Sequence, residues 1–140
     1  MNDGSRHDDG RHDDGRHDGS HLAMSIDELP VIEVGPGCLR RDLPSHAGVR
    51  VWVVDMAPGS EWPHVDQHPD GEEFYVVSGE VIEGHARYSA GTYVTFAPAS
   101  SHRPRTESGV RLFGFNLDPA AVGAAREAAN RAHRFNSSQG

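Results

Sequence analysis

The stretch from Trp62 to Gly79 constrains this chain more than any other. It reads Trp-Pro-His-Val-Asp-Gln-His-Pro-Asp-Gly-Glu-Glu-Phe-Tyr-Val-Val-Ser-Gly. Phe74 to Val77 is a short β-branched and aromatic run, which predicts a buried strand. Pro69-Asp70-Gly71 precedes it as a turn, with Pro to fix φ and Gly to accept a positive one. Before the turn, His64, Asp66 and His68 recur every two residues, a spacing that puts them on one face of an extended segment. A hairpin here would bring Glu72 back beside His68. A second stretch runs from Gly91 through Thr92 to Phe96 and on to His102. It offers a further imidazole to the same sheet end.

These two stretches resemble the paired motifs of the cupin family. The first motif has a Gly, a His-x-His pair, a Glu three or four residues on, and a Gly after six more. His68, Glu72 and Gly79 fit its tail, with Asp66 standing where the leading His belongs. In the second motif Gly91 and His102 fall in register, while Ala97, Ala99 and Thr106 replace its Pro, Gly and Asn. The similarity covers roughly Val31 to Leu117. It is nearest to the cupin half of zinc-dependent anti-sigma factors and to small dioxygenases that cleave hydroxylated aryl ketones. It implies an all-β double-stranded β-helix, the cupin jelly-roll barrel.

The choice of first ligand follows from strand geometry. Positions 66 and 68 lie roughly 6.6 Å apart at a rise of about 3.3 Å per residue, so their side chains can converge on one ion. Positions 64 and 68 lie about 13 Å apart and converge only across a bulge. Asp66 is therefore favoured over His64.

The other segments supply strands and one helix. Val31–Val34 and Cys38–Arg41 flank the breaker Gly35-Pro36-Gly37. Val49–Met56 is the longest β-rich run. Gly79-Glu80 predicts a turn, Val81-Ile82 a short strand, and His85–Tyr88 its return. Pro104 keeps residues 103–105 out of a central strand. Val110–Leu117 is the last strand, with Arg111, Phe113, Phe115 and Leu117 on one face. Asp118-Pro119 then predicts an N-cap and first helical residue, opening an Ala-rich helix over 119–134.

Residues 1–23 form a separate segment, in which Arg-His-Asp-Asp-Gly repeats and four of the ten His lie by position 21. Almost nothing in it is apolar, so it predicts a disordered tail ahead of a cupin domain over 24–140. The formal charge of −8 argues against nucleic acid as a partner. No apolar run suits a membrane helix. Cys38 alone cannot form an intramolecular disulfide, which fits a reducing cytoplasm.

Two imidazoles with one or two carboxylates make a transition-metal donor set. His68, His102 and Asp66 or Glu72 are the expected metal ligands. Fe(II) is the ion this set favours, with Mn, Ni or Zn as alternatives. Trp62, Tyr75, Tyr93, Phe113 and Phe115 are expected to line a pocket for a small-molecule substrate. His64 and Glu72 are the candidate proton carriers, and Arg103 a candidate anion clamp. The expected activity is that of a non-haem dioxygenase. A non-catalytic sensory cupin and a metal-dependent isomerase or lyase are the alternatives. A homodimer, through the edge near Val31 or the last helix, is the expected assembly.

Overall fold

The computed structural model describes residues 21–46 and 48–137. Among these residues, a short 3-10 turn at Ile26–Glu28 is followed by nine strands and then one helix. The strands are β1 (Ile32–Gly35), β2 (Cys38–Leu43), β3 (Val49–Met56), β4 (Asp66–His68), β5 (Glu72–Glu83), β6 (Ala86–Ser89), β7 (Tyr93–Phe96), β8 (Ser100–His102) and β9 (Val110–Leu117). The helix is α1 (Pro119–Ser137). A large antiparallel sheet has the order β1-β2-β3-β9-β5-β6, with β7 also on β5. A small sheet pairs β4 with β8. A cavity lies between them, lined by His68 and His102 from one and by Trp52, Phe74 and Leu112 from the other. This is the expected cupin barrel, with its helix at the C-terminal end. Residues 1–20, which hold most of the predicted tail, lie outside the described residues.

The two strands most strongly β-patterned in sequence form the middle of the large sheet. β3 and β9 pair along their whole length, from Val49 opposite Leu117 to Met56 opposite Val110. Alternation then sorts their side chains. Val54, Met56, Val110 and Leu112 join the core with Cys38, Trp62, Phe74, Val76 and Val81. Phe113, Phe115 and Leu117 share the opposite, exposed face. Gly114 faces inward, opposite Trp52. A Cβ there would stand 2.4 Å from the indole ring, so glycine makes the room that the ring fills.

Two local expectations are corrected. Gly79-Glu80 is not a turn between strands. β5 runs unbroken for 12 residues, with a register shift between Val76 and Ser78. Its first part pairs with β9 and β7, and its last four residues pair with β6. Gly79, at φ +75°, bends the strand between these partners. A positive-φ glycine serves a bulge as well as a turn, and local sequence does not separate the two.

The second correction concerns the hairpin. The Pro69-Asp70-Gly71 turn forms, with Gly71 N–H donating to His68 O at 3.2 Å. However, β4 does not pair with β5. It pairs with β8, Asp66 opposite His102 and His68 opposite Ser100. At the start of β8, Ala99 sits at φ +65°, where the cupin pattern has glycine. Its N–H donates to His68 O at 2.9 Å, which ties the two histidine strands together.

Asp118 caps α1 as expected, its Oδ1 accepting from Ala120 N–H at 3.0 Å. The helix is largely exposed and reaches the barrel through Arg126, 3.4 Å from Asp70. Among the described residues, no helix is long and apolar enough to cross a membrane.

Candidate metal centre

The β4–β8 register brings the donors together. Because Asp66 stands opposite His102, and His68 is two residues further along the same face, three side chains converge. One donor atom from each of Asp66, His68 and His102 lies within 4.8 Å of the others. Donors that share one side of an ion at about 2.1 Å lie roughly 3.0–3.4 Å apart. The widest pair of the group therefore closes by more than about an ångström when one ion is held. Asp66, rather than His64, belongs to this set.

The imidazoles are built as ligands are. His102 Nδ1 lies 2.7 Å from Glu83 Oε1. A carboxylate only accepts, so Nδ1 carries a proton, and once the ring gives up its other proton to bind a metal the Nε2 lone pair points the other way. This is the carboxylate–histidine arrangement of metal sites. His68 Nδ1 lies 3.2 Å from Glu72 Oε2 and is oriented in the same sense. His68 Nε2 and His102 Nε2 are both buried with no hydrogen-bond partner. Leaving two such nitrogens unmet is costly, and a metal ion is the partner that would satisfy both. Phe96 stacks on the His102 ring at 4.2 Å between centroids and holds its plane.

Glu72 stands between the two rings, with Oε1 3.3 Å from His102 Nε2. That approach makes an ion pair but lacks hydrogen-bond alignment. Glu72 is thus a fourth candidate donor or an ionic partner of both histidines. Burial alone would push the His102 pKa down. The contacts with Glu72 and Glu83 outweigh it and raise the group to about 9. The folded-state value is above the unfolded one of about 6.5. The protonated ring therefore adds stability to the metal-free protein, in full below pH 6.5, and loses it as pH rises through 9. Urea midpoints of the metal-free protein should fall between pH 6.5 and 9, and Glu83→Gln should flatten that fall. A flat wild-type profile would contradict it.

Not every expected residue is at this site. Trp62 is buried and lines the cavity beside His64. His64 is largely exposed, and its Nε2 lies 3.1 Å from Asp66 Oδ1, so it buttresses the carboxylate. Tyr75, Tyr93, Phe113 and Phe115 do not line the cavity. They lie on the outer face of the large sheet and are exposed. The alternate residues of the same strands point in: Phe74, Phe96, Leu112 and Asn116. Period two gives two faces, and the more aromatic one is here the outer one. Arg103, expected as an anion clamp, does not line the cavity, and its Nε is turned to Glu61 Oε1 and Trp62 O, each at 2.8 Å.

Sequence reasoning did not find Glu83, which is 19 residues from His102 and reaches it only through the bend in β5. It also passed over Arg50, Trp52 and Asn116, which line the cavity from β3 and β9. The even-numbered positions of Val49–Met56 were the available signal for the first two.

Known proteins share this architecture. An RmlC-like cupin from Shewanella frigidimarina superposes with a TM-score of 0.59 at 20% identity, over 70% of this chain and 91% of that one. A structure of Rhodobacter sphaeroides SigE in complex with the anti-sigma ChrR matches with a TM-score of 0.60 at 17% identity. That match covers 66% of this chain and 51% of the other. A dioxygenase from Nostoc punctiforme, assigned as such only provisionally, matches at 0.55 and 21% identity, over 66% and 34%. At these identities the likeness is one of fold. No curated protein sequence matches. The family model described as the ChrR cupin-like domain matches residues 20–119, most of the chain, with both histidine strands inside it. The chain belongs to the ChrR cupin-like family.

Proposed function

We propose that this cupin is a mononuclear non-haem oxygenase, using Fe(II) and dioxygen on a small oxygenated organic compound. The single observation that carries the reading is the pair of buried Nε2 atoms, neither with an aligned hydrogen bond, converging with the Asp66 carboxylate beneath a cavity. Two imidazoles and one carboxylate on one side of an ion is the donor set of non-haem iron oxygenases. Bound there, the metal would supply a Lewis-acid site with positions left for substrate and dioxygen.

The chain's own residues divide the remaining work. Asp66, His68 and His102 hold the ion, and Glu83 and Phe96 hold the His102 ring. Glu72, buried between the histidines, is placed to take and return a proton. His64, through Asp66, sets the orientation of the carboxylate. Trp62, Phe74 and Leu112 exclude water from the base of the cavity. The resemblance to a dioxygenase cupin supports this reading without deciding it.

An oxygen electrode tests it. Fe(II)-loaded protein given a panel of aryl α-hydroxy ketones and small α-hydroxy and α-keto acids should consume oxygen, and His68→Ala should not. Fully loaded protein that consumes none across the panel would defeat the oxygenase reading. Turnover of the ketones without oxygen would favour an isomerase or lyase. The fold shared with ChrR favours one further reading, a metal-bearing regulatory module without turnover. It predicts tight ligand binding and no product under any of these conditions.

A further inference from the structure

The cavity has two chemically opposite walls. The metal donors and Glu72 form one. The other comes from β2, β3 and β9, and its polar groups are mainly donors. Of the arginines in the barrel, Arg40, Arg41, Arg87, Arg103, Arg105 and Arg111 each have a carboxylate oxygen within 3.5 Å. Arg50 has no hydrogen bond or ion pair among the described residues, yet it lines the cavity. Arg50 is exposed where it borders the cavity, so its guanidinium is open to an incoming anion.

Its neighbour extends the pattern. Arg50 stands opposite Asn116 in the β3–β9 register. Trp52 Nε1 donates to Asn116 Oδ1 at 3.1 Å. Indole N–H only donates, so the amide oxygen must face it, and Asn116 Nδ2 is left with its hydrogens to give. One carboxylate lies on this wall, Asp42. Arg40 occupies it, Nε to Oδ1 at 3.0 Å and an Nη contact to Oδ2 at 3.4 Å. A guanidinium and an amide NH₂ therefore face the cavity with no internal acceptor. The space is about 200 Å³, enough for a compound of a few carbons.

We propose that the cavity takes a small carboxylate-bearing compound, whose carboxylate is bound by Arg50 and Asn116 while its oxygenated carbon faces the metal donors. This deepens the proposed function and rests on it for the substrate's orientation. The anion-binding wall itself stands without a metal. A guanidinium and a carboxylate match in geometry, and an amide NH₂ adds a second donor.

Calorimetric titration with lactate and its uncharged isostere lactamide tests the assignment, on the full chain loaded with redox-inert Zn(II) and on the metal-free chain. Wild type should bind lactate about tenfold more tightly than lactamide, the size expected of one charge-assisted contact. Arg50→Gln should erase that preference, and Arg50→Lys should restore part of it. The preference should persist without metal, though both ligands bind more weakly. Equal affinity for acid and amide in wild type would overturn the proposal. So would binding of neither, or a preference unchanged in Arg50→Gln. Loss of the acid preference only when metal is removed would also overturn it, since the metal would then be the anion site. Failure of the metal reading shows separately, as absence of zinc uptake by the chain begun at residue 24, which lacks the four N-terminal histidines. An unchanged thermal midpoint in Arg50→Gln shows that the exposed side chain is not structural.

Discussion

His68→Ala and His102→Ala each leave the protein with less than about a tenth of the wild-type metal content when equal amounts are dialysed against the same divalent ion. The expectation follows from the donor count. Removing one of three protein ligands takes away a full coordinate bond. Losing even the outer partner of a ligand typically costs 10- to 100-fold in affinity. Glu83→Gln should show that smaller effect, because it frees the His102 ring without removing it. The measurement needs the chain begun at residue 24 as well as the full chain. His7, His12, His17 and His21 would otherwise bind metal themselves. Full retention of metal in both alanine variants of the shorter chain would remove the site.

The metal also competes with a proton here. His102, raised to about 9, is protonated at neutral pH without metal, so loading at pH 7 should release acid.

Gly79→Ala should cost more stability than any other single change considered, on the order of 3–5 kcal/mol, the range of severe mutants. Two effects combine. At φ +75° any L side chain is strained, by about 1–2 kcal/mol. A Cβ at this position would also stand 2.0 Å from Gly109 O and 2.9 Å from Val110 Cα. Those atoms are backbone at the start of β9 and cannot rotate away. They are held in turn, since Glu80 N–H donates to Gly109 O, and Thr106 Oγ1 binds Glu80 O at 2.6 Å and accepts from Gly109 N–H at 3.0 Å. Thr106 stands where the cupin pattern has Asn, and it ties this corner. Gly84→Ala is the control. Its φ is +58°, but nothing lies within 4 Å of the added carbon, so only the backbone term remains. Urea unfolding of both variants compares them. Equal losses would mean that the close approach of β5 to β9 is not rigid.

Whatever depends on neighbours in the chain was legible. The alternation of His64, Asp66 and His68, the Pro69-Asp70-Gly71 turn, the β-branched runs of β3 and β9, and the Asp118-Pro119 cap all carry their structure locally. The strand bounds Val49–Met56 and Val110–Leu117 emerge as expected because each run is long, strongly β-forming and ended by breakers. The approach of His68 and Glu72 was legible too, since a tight turn joins them.

Pairing partners were not legible, and with them went the facing of most side chains. β4 lies against β8 rather than β5 because backbone hydrogen bonds accept any strand of suitable register, and the nearest in sequence has no special claim. The same ambiguity put Tyr75, Tyr93, Phe113 and Phe115 in the expected pocket, although the sheet turns them outward. Glu83 met His102, and Arg50 met Asn116, only after the barrel closed. By itself the sequence determined that histidines and acids would alternate along strands. Only the tertiary structure decided which of them meet, because coordination needs convergence within a few ångströms and period two leaves the choice of face open.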